Sequence, residues 1–189
     1  MERFLATKFL PQLLYSGAFG PNQFAYRPKH GARDAILFLV MSWLTLLANG
    51  NRIGVYCSDV SGAFDRVSAR RLLSRFRLLR VHPRFLRLFD SWLQARLAKV
   101  IVAGTSSQEF VMTDMVYQGT VWGPSFWNIF IAEASQVLRN LLYEEIFYAD
   151  DLNAFKGFAS EIDNHMILLA NPSFFESQIP ASGSQHQSI

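Results

Sequence analysis

At 189 residues, 50% of them hydrophobic and 17% charged, the chain is long enough for one domain with a sizeable core, which excludes disorder as a description of the whole. The net charge is only +3, yet nine Arg and one Lys lie between Arg66 and Lys99 against a single acid, Asp90; such a stretch is either a polyanion-binding face or a solvated helix surface. A lone cysteine, Cys57, excludes an intrachain disulfide, fits a reducing compartment and, in its apolar run, is expected in the core.

Residues Glu2–Leu14 predict a helix interrupted at Pro11. A loop rich in Gly, Pro and Asn, Ser16–Gly31, leads into a second helix over Ala32–Ala48, stopped by Asn49-Gly50. Its most apolar part, Ala35 to Ala48, has 14 residues. That is short of the roughly 20 needed to cross a bilayer, so a buried helix is expected and no membrane association. Met1-Glu2-Arg3-Phe4 lacks the organisation of a signal peptide. An intracellular soluble protein is expected, nuclear or cytoplasmic placement left open.

Ile53–Asp59 reads as a strand, and Ser68–Arg80 and Pro83–Leu97 as helices, the second opening with proline where proline is tolerated. Ala98–Gly104 and Glu109–Thr113 predict a hairpin across Thr105-Ser106-Ser107-Gln108. A loop, Met115–Gly123, precedes a long helix from Pro124 to about Tyr143. Two short apolar runs flank Asp150-Asp151 and predict strand, tight turn, strand. A weak helix near Ser160–Ala170 follows, and the polar Pro/Gly/Ser-containing stretch from Asn171 reads as a disordered tail. The order implies an α+β fold, an antiparallel sheet with helices packed on one face.

Two acidic clusters carry the chemistry: Ser58-Asp59-Val60-Ser61-Gly62-Ala63-Phe64-Asp65 and Tyr148-Ala149-Asp150-Asp151-Leu152. Alone, an Asp-Asp pair is an ordinary turn, because Asp side chains bond nearby backbone. Carboxylates at a strand end and in a tight turn can nevertheless converge from distant positions, and their hard oxygens suit Mg²⁺. Between them lies Val116-Tyr117-Gln118-Gly119-Thr120-Val121-Trp122-Gly123-Pro124. Glycines there permit close backbone approach to a ligand, and Gln118 could donate and accept hydrogen bonds without adding charge. Gly123-Pro124 by itself is a helix-start turn.

Four blocks in order resemble the reverse transcriptases of non-LTR (LINE-type) retrotransposons. Gln23-Phe24-Ala25-Tyr26-Arg27-Pro28-Lys29-His30-Gly31 through Asp34-Ala35-Ile36 is similar to the family's fingers block. Asp59 through Phe64-Asp65-Arg66-Val67 resembles the first catalytic block, and Gln118-Gly119 through Asn128-Ile129-Phe130-Ile131 the next. Tyr148-Ala149-Asp150-Asp151 resembles the metal-binding hairpin. The resemblance spans roughly residues 20 to 157. It implies a partial fingers region over 1–52 and a polymerase palm over 53–157, with 158–189 a weak helix and tail.

The same resemblance implies roles. Asp59 and Asp150 would hold two Mg²⁺ ions, Mn²⁺ being a possible substitute, with the Val60 carbonyl helping and Asp151 as an auxiliary carboxylate. Gly62 and Ala63 amides would meet triphosphate oxygens, Phe64 would exclude a ribose 2′-OH, and Gln118 and Gly119 would border the incoming deoxynucleotide. Tyr148, Arg27, Lys29 and Arg33 would contact RNA template and DNA primer. Against the family pattern, the basic fingers block, the downstream lysine block and the thumb are missing, so truncation at both ends is expected. Trp122 and Trp127 stand where smaller aliphatic residues are usual. The alternative expectation is an inactive nucleic-acid-binding remnant. A viral RNA-dependent RNA polymerase palm is disfavoured by Phe64 and Tyr148-Ala149.

Overall fold

The computed structural model describes residues 2–94, 96–112 and 116–159; the expected helix near Ser160–Ala170 and the tail beyond it lie outside the described residues. In chain order the elements are α1 (Glu2–Tyr15), α2 (Ala32–Ala48), β1 (Arg52–Asp59), a 3₁₀ turn (Ala63–Arg66), α3 (Ala69–Leu78), α4 (Pro83–Leu93), β2 (Arg96–Ala98), β3 (Ile101–Val102), β4 (Thr105–Ser106), β5 (Phe110–Met112), α5 (Gly123–Asn140), β6 (Glu144–Tyr148) and β7 (Asp151–Phe158). The fold is mixed α+β with an antiparallel three-stranded sheet ordered β1-β7-β6.

Residues alternate between the two faces of this sheet, as period-2 geometry requires. Phe147, Leu152 and Ala154 join one large core with α1, α3, α4 and α5. Rings from four segments fill it: Phe9, Phe76, Phe89, Trp122 and Phe126 interlock with several edge-on pairs, for example Phe89–Phe126 at 4.9 Å and 78°. Edge-on packing suits the ring quadrupoles and adds to area burial. α5 is buried along nearly its whole length, the mark of a central helix. In α3, Leu72, Leu73 and Phe76 face this core while Arg70, Arg71 and Arg77 are exposed.

Helices cover both faces, not one. The second face receives α2, whose Ala35, Phe38, Leu39, Trp43 and Leu46 pack on Ile146, Phe155 and Ile53. The expectation of a buried α2 fails for its outer side: Ile36 and Leu37 are 61% exposed, and Val40, Met41, Leu44 and Leu47 are also exposed. Hydropathy counts apolar residues; only one stripe of a helix can meet a sheet.

Other boundaries shift for local reasons. α1 runs unbroken through Pro11, because Ala6, Phe9 and Leu13 anchor both sides of the proline in the core. α4 stops at Leu93, and the residues expected as its last turn contribute β2, paired with β5. Within that ribbon, β3 and β4 turn at Ala103-Gly104, with φ of 50° and 83°. A two-residue connection with both φ positive matches strand twist, so the turn precedes the Ser-rich segment expected to form it. Cys57 is exposed, not a core residue; its thiol donates to Asn153 Oδ1 at 3.0 Å. It projects from the sheet beside the open end of α2.

Candidate functional site

The β1–β7 register carries the two acidic clusters together. Asp59, last in β1, pairs with Asp151, first in β7, after seven preceding pairs that begin at Arg52 and Phe158. Beyond it the Val60 amide donates to the Asp150 carbonyl at 3.2 Å. Tyr148 pairs with Asp151 from the other side, so it shares that sheet face. A cavity of about 460 Å³ opens between the start of α2 and this strand end, lined by Ile36, Leu39, Cys57, Asp59, Tyr148 and Asp151 among others.

Asp59 and Asp151 are exposed and Asp150 is half-buried. Among the described residues no Lys or Arg forms an ion pair with any of them. Uncompensated carboxylates at one strand end create a negative potential, and their oxygens are the ligand type that hard divalent cations select. The donors are therefore of the chemical type that Mg²⁺ takes. Among the described residues, however, no group of three or more His, Cys, Asp or Glu side chains is gathered to hold a metal ion.

The turn joining β6 to β7 is held from two directions. Ala149 has φ of +58°, a conformation that costs a residue with a Cβ about 1–2 kcal/mol. Gln23, 2% exposed, accepts from the Ala149 amide at 3.1 Å and donates to its carbonyl at 3.2 Å. Trp127, 1% exposed, donates its indole N–H to the same carbonyl at 2.8 Å. Gln23 reaches this place because its flanking residues add to the β6 edge: Phe24 N donates to Phe147 O, and Phe147 N to Asn22 O, both at 2.9 Å. Asn128, fully buried, donates to the Ala25 carbonyl at 2.9 Å and ties α5 to the same loop. Tyr26 stands next in line with φ of +57°. Burial, then the nearby charges of Asp150 and Tyr148, raise its hydroxyl above the ordinary tyrosine pKa.

After Asp59 the chain turns through Gly62, left-handed at φ 63°, into the 3₁₀ turn. The Gly62 and Ala63 amides have no hydrogen-bond partner among the described residues. Ala63 is buried beneath them. Phe64 is half-buried and stacks on Trp127 at 6.1 Å and 28°. Gly123 lies close by: a Cβ built there would lie 3.5 Å from the Phe64 ring and 2.8 Å from the Tyr117 carbonyl. Gln118 and Gly119 are exposed at the tip of the adjoining loop, with Gly119 at φ 77°. That loop is fastened by Thr120, whose hydroxyl donates to Tyr117 O at 2.6 Å and accepts from Gly123 N at 3.2 Å.

The expected template contacts divide. Lys29 and Arg33 are exposed beside the entrance of α2. Arg27 braces its own loop: Nη1 donates to the carbonyls of Gly20, Pro21 and Gln23 at 3.1, 3.1 and 3.2 Å. Burial lowers its pKa. The basic stretch exposes Arg66, Arg70, Arg71, Arg77, Arg80, Arg84 and Arg87.

Gln23, Tyr26 and Trp127 carry no predicted role in the sequence, although all three gather around Ala149 and Asp150. Two signals were present: Gln23 opens the fingers-like block, and Trp127 departs from the usual aliphatic residue.

The family described as "Reverse transcriptase (RNA-dependent DNA polymerase)" matches residues 2–171. Similar curated proteins include the RNA-directed DNA polymerase from mobile element jockey of Drosophila funebris, 28% identical over 157 residues, covering 80% of this chain and 17% of the relative. The protein of the same description from Drosophila melanogaster is 28% identical over 134 residues, covering 70% of this chain and 14% of the relative. The chain thus spans less than a fifth of the length of these relatives. It belongs to the reverse transcriptase family, as a partial domain homologous to those of jockey-type non-LTR retrotransposons.

Proposed function

We propose that this chain is the fingers-palm part of an RNA-directed DNA polymerase, adding deoxynucleotides to a primer 3′-OH as an RNA template directs. Residues 1–52 are assigned to the fingers, 53–157 to the palm, and 158–189 to the segment that follows it. The single observation that supports this most is the meeting of residues 59–60 with 150–151 across the β1–β7 ladder. Asp59 and Asp150 would hold divalent ions, the Val60 carbonyl would assist, and Asp151 would add negative charge beside them. Two bound Mg²⁺ would supply activation of the primer hydroxyl and neutralisation of triphosphate charge.

The chain's own groups account for the remaining tasks. The amides of Gly62 and Ala63, without protein partners among the described residues, meet phosphate oxygens. Phe64, close to Trp127 and Gly123, presents a ring edge to the sugar and excludes a 2′-OH by contact. Gln118 and Gly119 border the base and sugar of the incoming nucleotide. Tyr148, Lys29 and Arg33 lie along the path of primer and template.

Primer extension on poly(rA)/oligo(dT) with Mg²⁺ tests the assignment. Extension that disappears in Asp150→Asn supports it; no extension by the wild-type chain contradicts it. A second reading, a non-catalytic nucleic-acid-binding remnant, draws on the exposed arginines of α3 and α4. It expects salt-sensitive binding without extension, the slope reporting the phosphates neutralised.

A further inference from the structure

The catalytic hairpin of a polymerase must hold its carboxylates still, yet the turn residue here occupies a backbone conformation that disfavours alanine. Left alone, a two-residue turn with Ala149 at φ +58° would exchange among conformers, and Asp150 would move with it. We infer that Gln23 and Trp127 are positioning residues that clamp the Ala149 peptide groups and thereby fix the direction of Asp150. The inference rests on the polymerase reading given above, which supplies the reason for fixing Asp150.

Three features carry it. First, Gln23 satisfies both polar groups of one residue, accepting from Ala149 N–H and donating to Ala149 C=O. Its Oε1 also accepts from Ala25 N–H at 3.0 Å. Two N–H donors at one end and a carbonyl at the other fix which end is oxygen. The side chain thus completes, at the turn, the ladder that the Asn22–Phe24 backbone begins along β6. Second, both side chains are almost fully enclosed. Their bonds compete little with water, and loss of a partner would strand buried polar groups. Third, the clamp joins three distant parts of the chain: the loop before α2, α5, and the hairpin. Gln23 lies 126 positions from Ala149, and Trp127 lies 22.

Trp127 has a further consequence. Its indole N–H grips the hairpin while its ring face stacks on Phe64. Phenylalanine at 127 would keep a ring against Phe64 and remove only the donor. Gln23→Met would keep the side-chain length and remove both polar ends that hold Ala149, adding no charge.

The test uses the 189-residue chain and needs no turnover. Amide exchange followed by NMR should show Ala149 N–H protected in the wild type, with protection lost in Gln23→Ala. Mn²⁺ titration read by water-proton relaxation should then show affinity at least about fivefold weaker in Gln23→Met and in Trp127→Phe, the factor one neutral hydrogen bond is worth. Thermal unfolding run alongside separates positioning from folding: a merely structural role would lower the midpoint without moving the affinity of the folded fraction. Rapid exchange of Ala149 N–H in the wild type overturns the clamp, as does Mn²⁺ affinity equal in all three proteins. Absence of Mn²⁺ binding in the wild type would instead overturn the polymerase reading, with amide exchange still deciding whether the clamp holds the turn.

Discussion

The Val60 amide donates to the Asp150 carbonyl at 3.2 Å, one step past the pair formed by Asp59 and Asp151. This contact belongs to the backbone. It is set by the whole β1–β7 register, so it does not depend on the carboxylates it brings together.

Neutralising one carboxylate should therefore leave the fold intact. Asp59, Asp150 and Asp151 have no cationic partner among the described residues, and their mutual repulsion opposes folding at low ionic strength. Asp59→Asn is expected to raise stability by about 0.5 kcal/mol in dilute buffer, the gain fading in 0.5 M salt. Urea midpoints at the two salt concentrations check this; a loss of stability in both would contradict it.

Phe64→Val should relax sugar discrimination. Removing the ring opens the space beside Trp127 and Gly123, and steric pockets discriminate by roughly 10–200-fold. The ratio of dNTP to rNTP incorporation should fall within that range. An unchanged ratio removes Phe64 from sugar selection.

Gly123→Ala should destabilise the chain and disturb the Gln118-Gly119 loop. The new Cβ would meet the Tyr117 carbonyl at 2.8 Å and Thr120 Oγ1 at 3.0 Å. Backbone on one side leaves little room to yield, so a cost of about 1–3 kcal/mol is expected. Denaturant unfolding measures it, and no change in midpoint would show that the loop shifts freely.

Arg139→Ala should weaken the β6–α5 contact. Glu145, fully buried, accepts from Arg139 Nε at 2.9 Å and Ser135 Oγ at 2.6 Å. Stranding a buried charge costs about 3–5 kcal/mol. Because Arg139 is 43% exposed on its side chain, about 1–2 kcal/mol is a better expectation. Arg139→Ala, Glu145→Gln and the double variant, compared by urea unfolding, should be strongly non-additive. Additive losses would show that the pair acts independently.

Much of this arrangement was legible from residue order. The bounds Ala32–Ala48 follow from a glycine-bounded apolar run, and the hairpin from two short apolar runs around a pair of turn formers, although the turn falls one residue earlier than expected, at Ala149-Asp150, with Asp151 opening β7. What the sequence hid depended on three-dimensional partners. Which stripe of α2 meets the sheet, whether Pro11 breaks a helix, and whether Cys57 lies inside are decided by packing. Hydropathy along the chain cannot distinguish those outcomes. Ala103-Gly104 was a readable turn signal, outweighed by the polar run after it. Gln23 and Trp127 stood out only by their place in a block, and Tyr26 not at all; their roles were hidden because their partners are backbone groups or charges elsewhere in the chain.

On the proposed function Asp59 and Asp150 share divalent cations, and a double-mutant cycle of Mn²⁺ affinity tests this most directly. With primer-template and dTTP present, Asp59→Asn and Asp150→Asn should each weaken binding at least about tenfold, and the double variant should lose far less than the product of the two. Affinity that is indifferent to either substitution, or losses that simply multiply, would contradict a shared site.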